Sequence, residues 1–132
     1  MKSNLASFAT LVWYVLSCTN GAFADESSDR VGIAYFESHV RPILVARCYS
    51  CHSESADELK GGLRLDTREG ARAGGDSGAA VVPGAPSKSH LIAAIKYDGL
   101  EMPPDAKLSD AEIESIEKWI KMGAPDPRDG PA

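Results

Sequence analysis

The chain has 132 residues and carries 14 Lys and Arg against 19 Asp and Glu, a formal charge of −5. That balance argues against a nucleic-acid partner, which calls for a basic patch, and the length allows one small domain with a thin core. With 3 cysteines in all, no disulfide framework is expected.

Lys2, a largely apolar run from Leu5 to Leu16, and Ala22-Phe23-Ala24 before Asp25 have the three regions of a secretory signal, so residues 1–24 are read as a leader cut after Ala24. The run is short for a bilayer span. The expected destination is the periplasm or cell envelope of a bacterium. Two other readings stand beside cleavage: a retained anchor, or lipidation of Cys18, for which Leu16 is a poor fit. Membrane attachment is expected only in those cases. Cleavage would leave Cys48 and Cys51 as the remaining thiols.

Residues 25–34 read as a flexible segment, with order expected from about Val31 and the domain spanning 35–125. Tyr35, Phe36, Val40, Ile43 and Leu44 recur at helical spacing, with Pro42 expected to kink or restart the helix. Its last turn delivers Cys48-Tyr49-Ser50-Cys51-His52, the C-x-x-C-H pattern by which c-type haem is attached. Two thiols add across the vinyl groups, and the adjacent imidazole reaches the iron. A zinc site, a thioredoxin-type dithiol and chance occurrence are the competing readings. Zinc usually needs a second ligand pair and the dithiol a βαβ setting, and neither is in view.

Residues 53–86 are rich in Gly, Asp, Ser and Arg and read as a long loop, in which Leu63-Arg64-Leu65 and Ala80-Val81-Val82 are β-prone enough for a short hairpin. Arg64, Arg68 and Arg72 are candidate partners for haem propionates, though solvated arginines balancing local acids are the commoner case. A second helix is predicted from Ser87 to about Tyr97, with Leu91, Ala94 and Ile95 on one face and Gly99 as its stop. The third is marked by a Ser109/Glu112 capping box, a stripe of Ile113, Ile116, Trp119 and Ile120, and Gly123 with Pro125 at its end. Glu114–Lys118 and Glu117–Lys121 are expected surface pairs, and Trp119 a core residue against the first helix. Residues 126–132 read as a tail or linker stub.

Met102-Pro103-Pro104 falls in the connection between the second and third helices, where a loop can cross the far face of a haem. A thioether there would raise the reduction potential, and paired prolines stiffen the loop that holds it. Met102 is therefore the candidate sixth ligand, with core filling as the alternative. His39 and His90 read as surface histidines and Met122 as packing.

Taken together, Val40-Arg41-Pro42-Ile43-Leu44, the C-x-x-C-H run, Lys60-Gly61-Gly62-Leu63-Arg64-Leu65-Asp66, Gly74-Gly75-Asp76-Ser77-Gly78, Val82-Pro83-Gly84, Met102-Pro103-Pro104 and Trp119-Ile120 resemble the small cytochrome c domain of planctomycete proteins. The resemblance implies a mainly α, cytochrome c-like fold with about three helices around one covalent haem. It implies haem c on Cys48 and Cys51, His52 as proximal ligand and Met102 as distal ligand. In such bacteria the domain typically looks like part of larger exported proteins, so a free-standing carrier and a fragment are both open. The expected role is single-electron transfer between redox partner proteins, without catalysis. A sensor or peroxidase with an open distal site, and a haem-stabilised interaction module, are the rivals.

Overall fold

A computed structural model describes residues 22–128 of the chain. In chain order it has α1 (Ala22–Tyr35), a π-helical turn (Phe36–Val40), α2 (Arg41–Arg47), α3 (Arg68–Ala73), α4 (His90–Lys96) and α5 (Asp110–Lys121), with short turns of 3₁₀ type at Lys60–Gly62 and Pro86–Lys88. Residues 1–21, which hold most of the expected leader and Cys18, lie outside the described residues. Among the described residues, no helix is long and apolar enough to cross a membrane.

Pro42 acts as its chemistry predicts. It has no N–H to continue the helical ladder, and the chain accommodates it by widening: the Arg41 N–H reaches back to the Phe36 carbonyl, and α2 restarts with Pro42 in its first turn. Helix begins earlier than the composition predicts, because α1 takes in the whole of residues 25–34. Glu26 and Arg30 pair across one turn at 2.6 Å. Gly32 is buried so closely on Pro125 that a Cβ there would sit 2.2 Å from the proline ring.

The core joins Phe36, Val40 and Leu44 to Ile113, Ile116, Trp119 and Ile120 of α5, with Leu91 and Ile95 of α4 completing it. Trp119 is the core residue expected. Its ring lies 5.3 Å from that of Phe36, and its indole N–H donates to the Pro125 carbonyl at 2.8 Å. The Ser109/Glu112 capping box forms in full, and Glu117 bridges Lys121 on its own helix and Lys96 on α4. Lys118, expected to pair with Glu114, instead lies 4.8 Å above the Tyr35 ring.

Three further expectations are corrected. The 53–86 segment contains α3, opened by Thr67, whose hydroxyl accepts from the Gly70 N–H at 3.0 Å. No hairpin forms among the described residues, because the backbone donors it needs are used elsewhere: Leu65 N–H on the His52 carbonyl, Val81 N–H on Ala71 and Val82 N–H on the Ser89 hydroxyl. The segment is held by single long-range bonds in place of a ladder. The third concerns the expected tail, since residues 126–128 are packed into the domain. Asp126 and Arg128 are both buried and paired, with Arg128 Cζ 4.7 Å above the Phe36 ring. Burial works against the Arg128 charge, but bonding to Asp126 and Tyr49 more than offsets it and holds the guanidinium above its ordinary pKa.

Ser109→Ala removes one half of the capping box and is expected to lower the unfolding free energy by about 1 kcal/mol in urea titration, with the slope unchanged. Hydrogen bonds from the Ser109 N–H and hydroxyl hold Glu112 below its usual carboxylate value. Glu112 therefore contributes stability above that value and loses it as pH falls and the carboxyl is protonated, so the difference between parent and variant shrinks in acid.

Candidate functional site

The end of α2 builds the attachment turn. Cys48 and Tyr49 N–H both donate to the Leu44 carbonyl, and the chain closes on itself through Cys51 N–H and His52 N–H to the Cys48 carbonyl, at 3.2 and 2.9 Å. Helix-like spacing places residues 48, 51 and 52 on one side of the turn. Cys48 is buried, and burial pushes its thiol up to about 11 against a smaller opposing pull from Arg47. Cys51 is half-buried.

His52 is oriented from the loop. Its Nδ1 lies 3.3 Å from the Leu63 carbonyl. A carbonyl can only accept, so Nδ1 carries the proton and Nε2 keeps the lone pair for a metal. The His52 carbonyl in turn accepts from Leu65 N–H at 2.8 Å. Between those two contacts, Arg64 forks onto Asp66 at 3.0 and 2.8 Å, and its guanidinium holds the Asp66 carboxyl below the usual range. Asp66 also accepts from Glu54 N–H at 2.9 Å, so the segment after the motif and the segment around Leu65 form one unit.

The far wall is the loop after α4. Met102 N–H donates to the Ala94 carbonyl at 3.1 Å, Tyr97 Oη donates to the Pro103 carbonyl, and Arg47 donates to the Ala106 carbonyl at 2.6 Å. Tyr97, not Gly99, ends α4. It adopts a left-handed backbone with φ 65°, a conformation costly for a bulky residue, and its hydroxyl anchor on Pro103 helps to stabilise it. The Met102–Pro103 peptide is cis.

These walls enclose a mainly apolar cavity of about 670 Å³, with Cys48, Cys51, His52 and Met102 all in its lining. Leu91 and Ile95, expected as a helix's apolar face, line it too. The remaining side is the glycine-rich turn, where Gly75 lies so close to Gly61 that a Cβ would sit 2.1 Å from the Gly61 oxygen. Arg64, Arg68 and Arg72 are absent from the lining: Arg68 and Arg72 bond the carbonyls of Asp126 and Ala124. The cationic groups that do line it are Arg47 and Lys60. His90, which the sequence places on the surface, is exposed and also lies among the lining residues, whereas His39 and the exposed Met122 are elsewhere.

Two thiols, an imidazole with a free Nε2 and a thioether, gathered in an apolar cavity, are a donor set that fits haem c. Among the described residues, no three His, Cys, Asp or Glu side chains gather in a metal-holding cluster, as a zinc centre would require. Residues 48–106 match the sequence profile of the family described as planctomycete cytochrome C. This stretch is a planctomycete cytochrome c domain. No curated protein and no solved structure matches the chain. A cytochrome c domain implies covalently bound haem c and haem-based electron transfer. The matched stretch runs from the attachment turn to just beyond the Met102 loop, and so takes in both walls of the cavity.

Gly75→Ala drives a methyl into the Gly61 carbonyl and disturbs the Asp76 N–H···Gly61 bond of 2.9 Å. The cytochrome domain is expected to lose about 1–3 kcal/mol of stability, the range for an overpacked site, seen as a lower thermal midpoint.

Proposed function

We propose that the protein is an exported monohaem c-type cytochrome that transfers single electrons, with haem held through Cys48 and Cys51 and ligated by His52 and Met102. The observation that carries this reading is the meeting of all four side chains in one cavity. Bound there, haem would supply an iron that accepts and releases one electron.

The residues around it do the positioning. Leu63 fixes the His52 tautomer, and the Leu65 N–H holds the His52 backbone. Tyr97 and Arg47 tie down the loop that presents Met102, which a weak thioether donor needs to stay ligated. Leu63, Leu65, Leu91 and Ile95 supply apolar wall. Arg47 and Lys60, the cationic side chains of the lining, are the candidate partners for propionates. No side chain is assigned a catalytic step.

Export rests on the leader-like composition of residues 1–24, and haem attachment then takes place outside the cytoplasm while both thiols are reduced. The acidic chain suits transient docking to donors and acceptors with basic patches, in an interaction weakened by salt. The domain extends through Arg128, with the leader preceding it.

Protein matured with c-type haem assembly machinery in an exported compartment is expected to show reduced c-type bands and the far-red ferric band of methionine ligation. Met102→Ala is expected to abolish that band and lower the reduction potential while covalent haem remains. A high-spin ferric spectrum in the parent protein would move the assignment to an open-site sensor or peroxidase. Absence of covalent haem would overturn the reading altogether.

A further inference from the structure

Arg128 lies beyond the family-matched stretch and beyond the last helix, yet it is among the most heavily bonded side chains of the domain. Its side chain is 5% exposed and that of its partner Asp126 is 2% exposed. Asp126 accepts from Nε at 2.8 Å and also from the terminal NH2 group. The other terminal nitrogen, NH1, donates to two groups at once: the Tyr49 hydroxyl at 2.7 Å and the Leu65 carbonyl. The backbone of Arg128 is itself fixed, its N–H on Asp126 at 2.9 Å and its carbonyl accepting from Arg68 N–H at 3.2 Å.

The two groups that NH1 joins are not equivalent surface acceptors. Tyr49 lies inside the attachment motif, one residue after Cys48. Leu65 belongs to the short segment that supplies both of His52's restraints, the Leu63 carbonyl at Nδ1 and the Leu65 N–H at the backbone carbonyl. One guanidinium therefore spans the motif and the segment that orients the imidazole. Its opposite face rests on Phe36 in the centre of the core. Only a planar fork with several donors can make these bonds together, which a lysine cannot reproduce.

We infer that Arg128 is a positioning residue for the proximal ligand, setting the angle of the His52 ring by locking Tyr49 of the attachment turn to Leu65. It acts through those two residues and does not line the cavity. The inference rests on the haem reading above. With haem bound, the orientation of the His52 ring and its hydrogen bonding would be levers on the iron's electronic structure and potential. Arg128 thus contributes to tuning as well as to folding.

The test uses the full, haem-loaded protein. Tyr49→Phe keeps the ring and the Arg128–Asp126 pair and removes only the hydroxyl, while Arg128→Lys keeps a charge for Asp126 and loses the fork. The readouts are the pattern of paramagnetically shifted haem-methyl resonances in the ferric protein, the midpoint potential, and the thermal midpoint. Both variants are expected to retain covalent haem, to redistribute the methyl shifts in the same sense and to shift the potential, with Arg128→Lys the larger. If the methyl pattern and potential match the parent while only the thermal midpoint falls, Arg128 is a structural strut and the inference is overturned. Should Arg128→Lys fail to accumulate, Tyr49→Phe decides the matter alone. Absence of covalent haem in the unsubstituted protein is a separate result: it removes the haem reading and this inference with it.

Discussion

The backbone bond from Leu65 N–H to the His52 carbonyl, 2.8 Å long, is where the two halves of the cavity wall become one object. On one side of it is a turn built by the end of α2, and on the other a segment with no helix or strand of its own. Once that bond is made, the Leu63 carbonyl falls at His52 Nδ1, Leu63 and Leu65 face the cavity, and the Arg64–Asp66 pair closes behind them. An unpaired extended segment is ordinarily a poor wall, because its polar backbone groups have to be satisfied one at a time. Here that requirement is met by partners that are themselves parts of the site.

Buried polar chemistry divides between two environments. At the cavity, burial raises the Cys48 thiol to about 11. Across the Leu63–Leu65 segment, the interior accommodates a full ion pair, Arg128 with Asp126, because each charge is matched and almost every donor is used. The buried ion pair thus sits behind the turn and outside the cavity lining, where it can brace the imidazole's supports.

The parts of the fold that could be read from the residues are those governed by local rules. The break at Pro42, the Ser109/Glu112 box and the α5 stripe all follow from chemistry within a few positions of one another. The same holds for the common side of Cys48, Cys51 and His52, set by one helical turn, and Met102 reaches the same cavity from the proline-rich connection in which the sequence places it. What stayed hidden depends on long-range pairing. Leu63–Leu65 and Ala80–Val82 have β-prone composition, but their donors are taken by His52, Ala71 and Ser89. Tyr97 in place of Gly99 as the helix stop requires knowing that Pro103 returns to meet its hydroxyl. Arg128 sits among Asp, Pro and Gly in a run with every local mark of a tail, and nothing in its neighbours announces the pocket 79 positions back that receives it.

That last placement bears on how such a domain can be joined to others. Gly123 and Pro125 advertise a natural seam after α5, and a fusion, truncation or recombination event guided by helix ends would cut there. The working edge of this unit lies at least three residues further on, past the buried Asp126–Arg128 pair. A junction placed at the apparent seam would preserve every helix and the whole attachment motif, yet release the support beneath the imidazole. On the Arg128 reading, the limit of the unit is set by a buried side chain and not by the last turn of secondary structure.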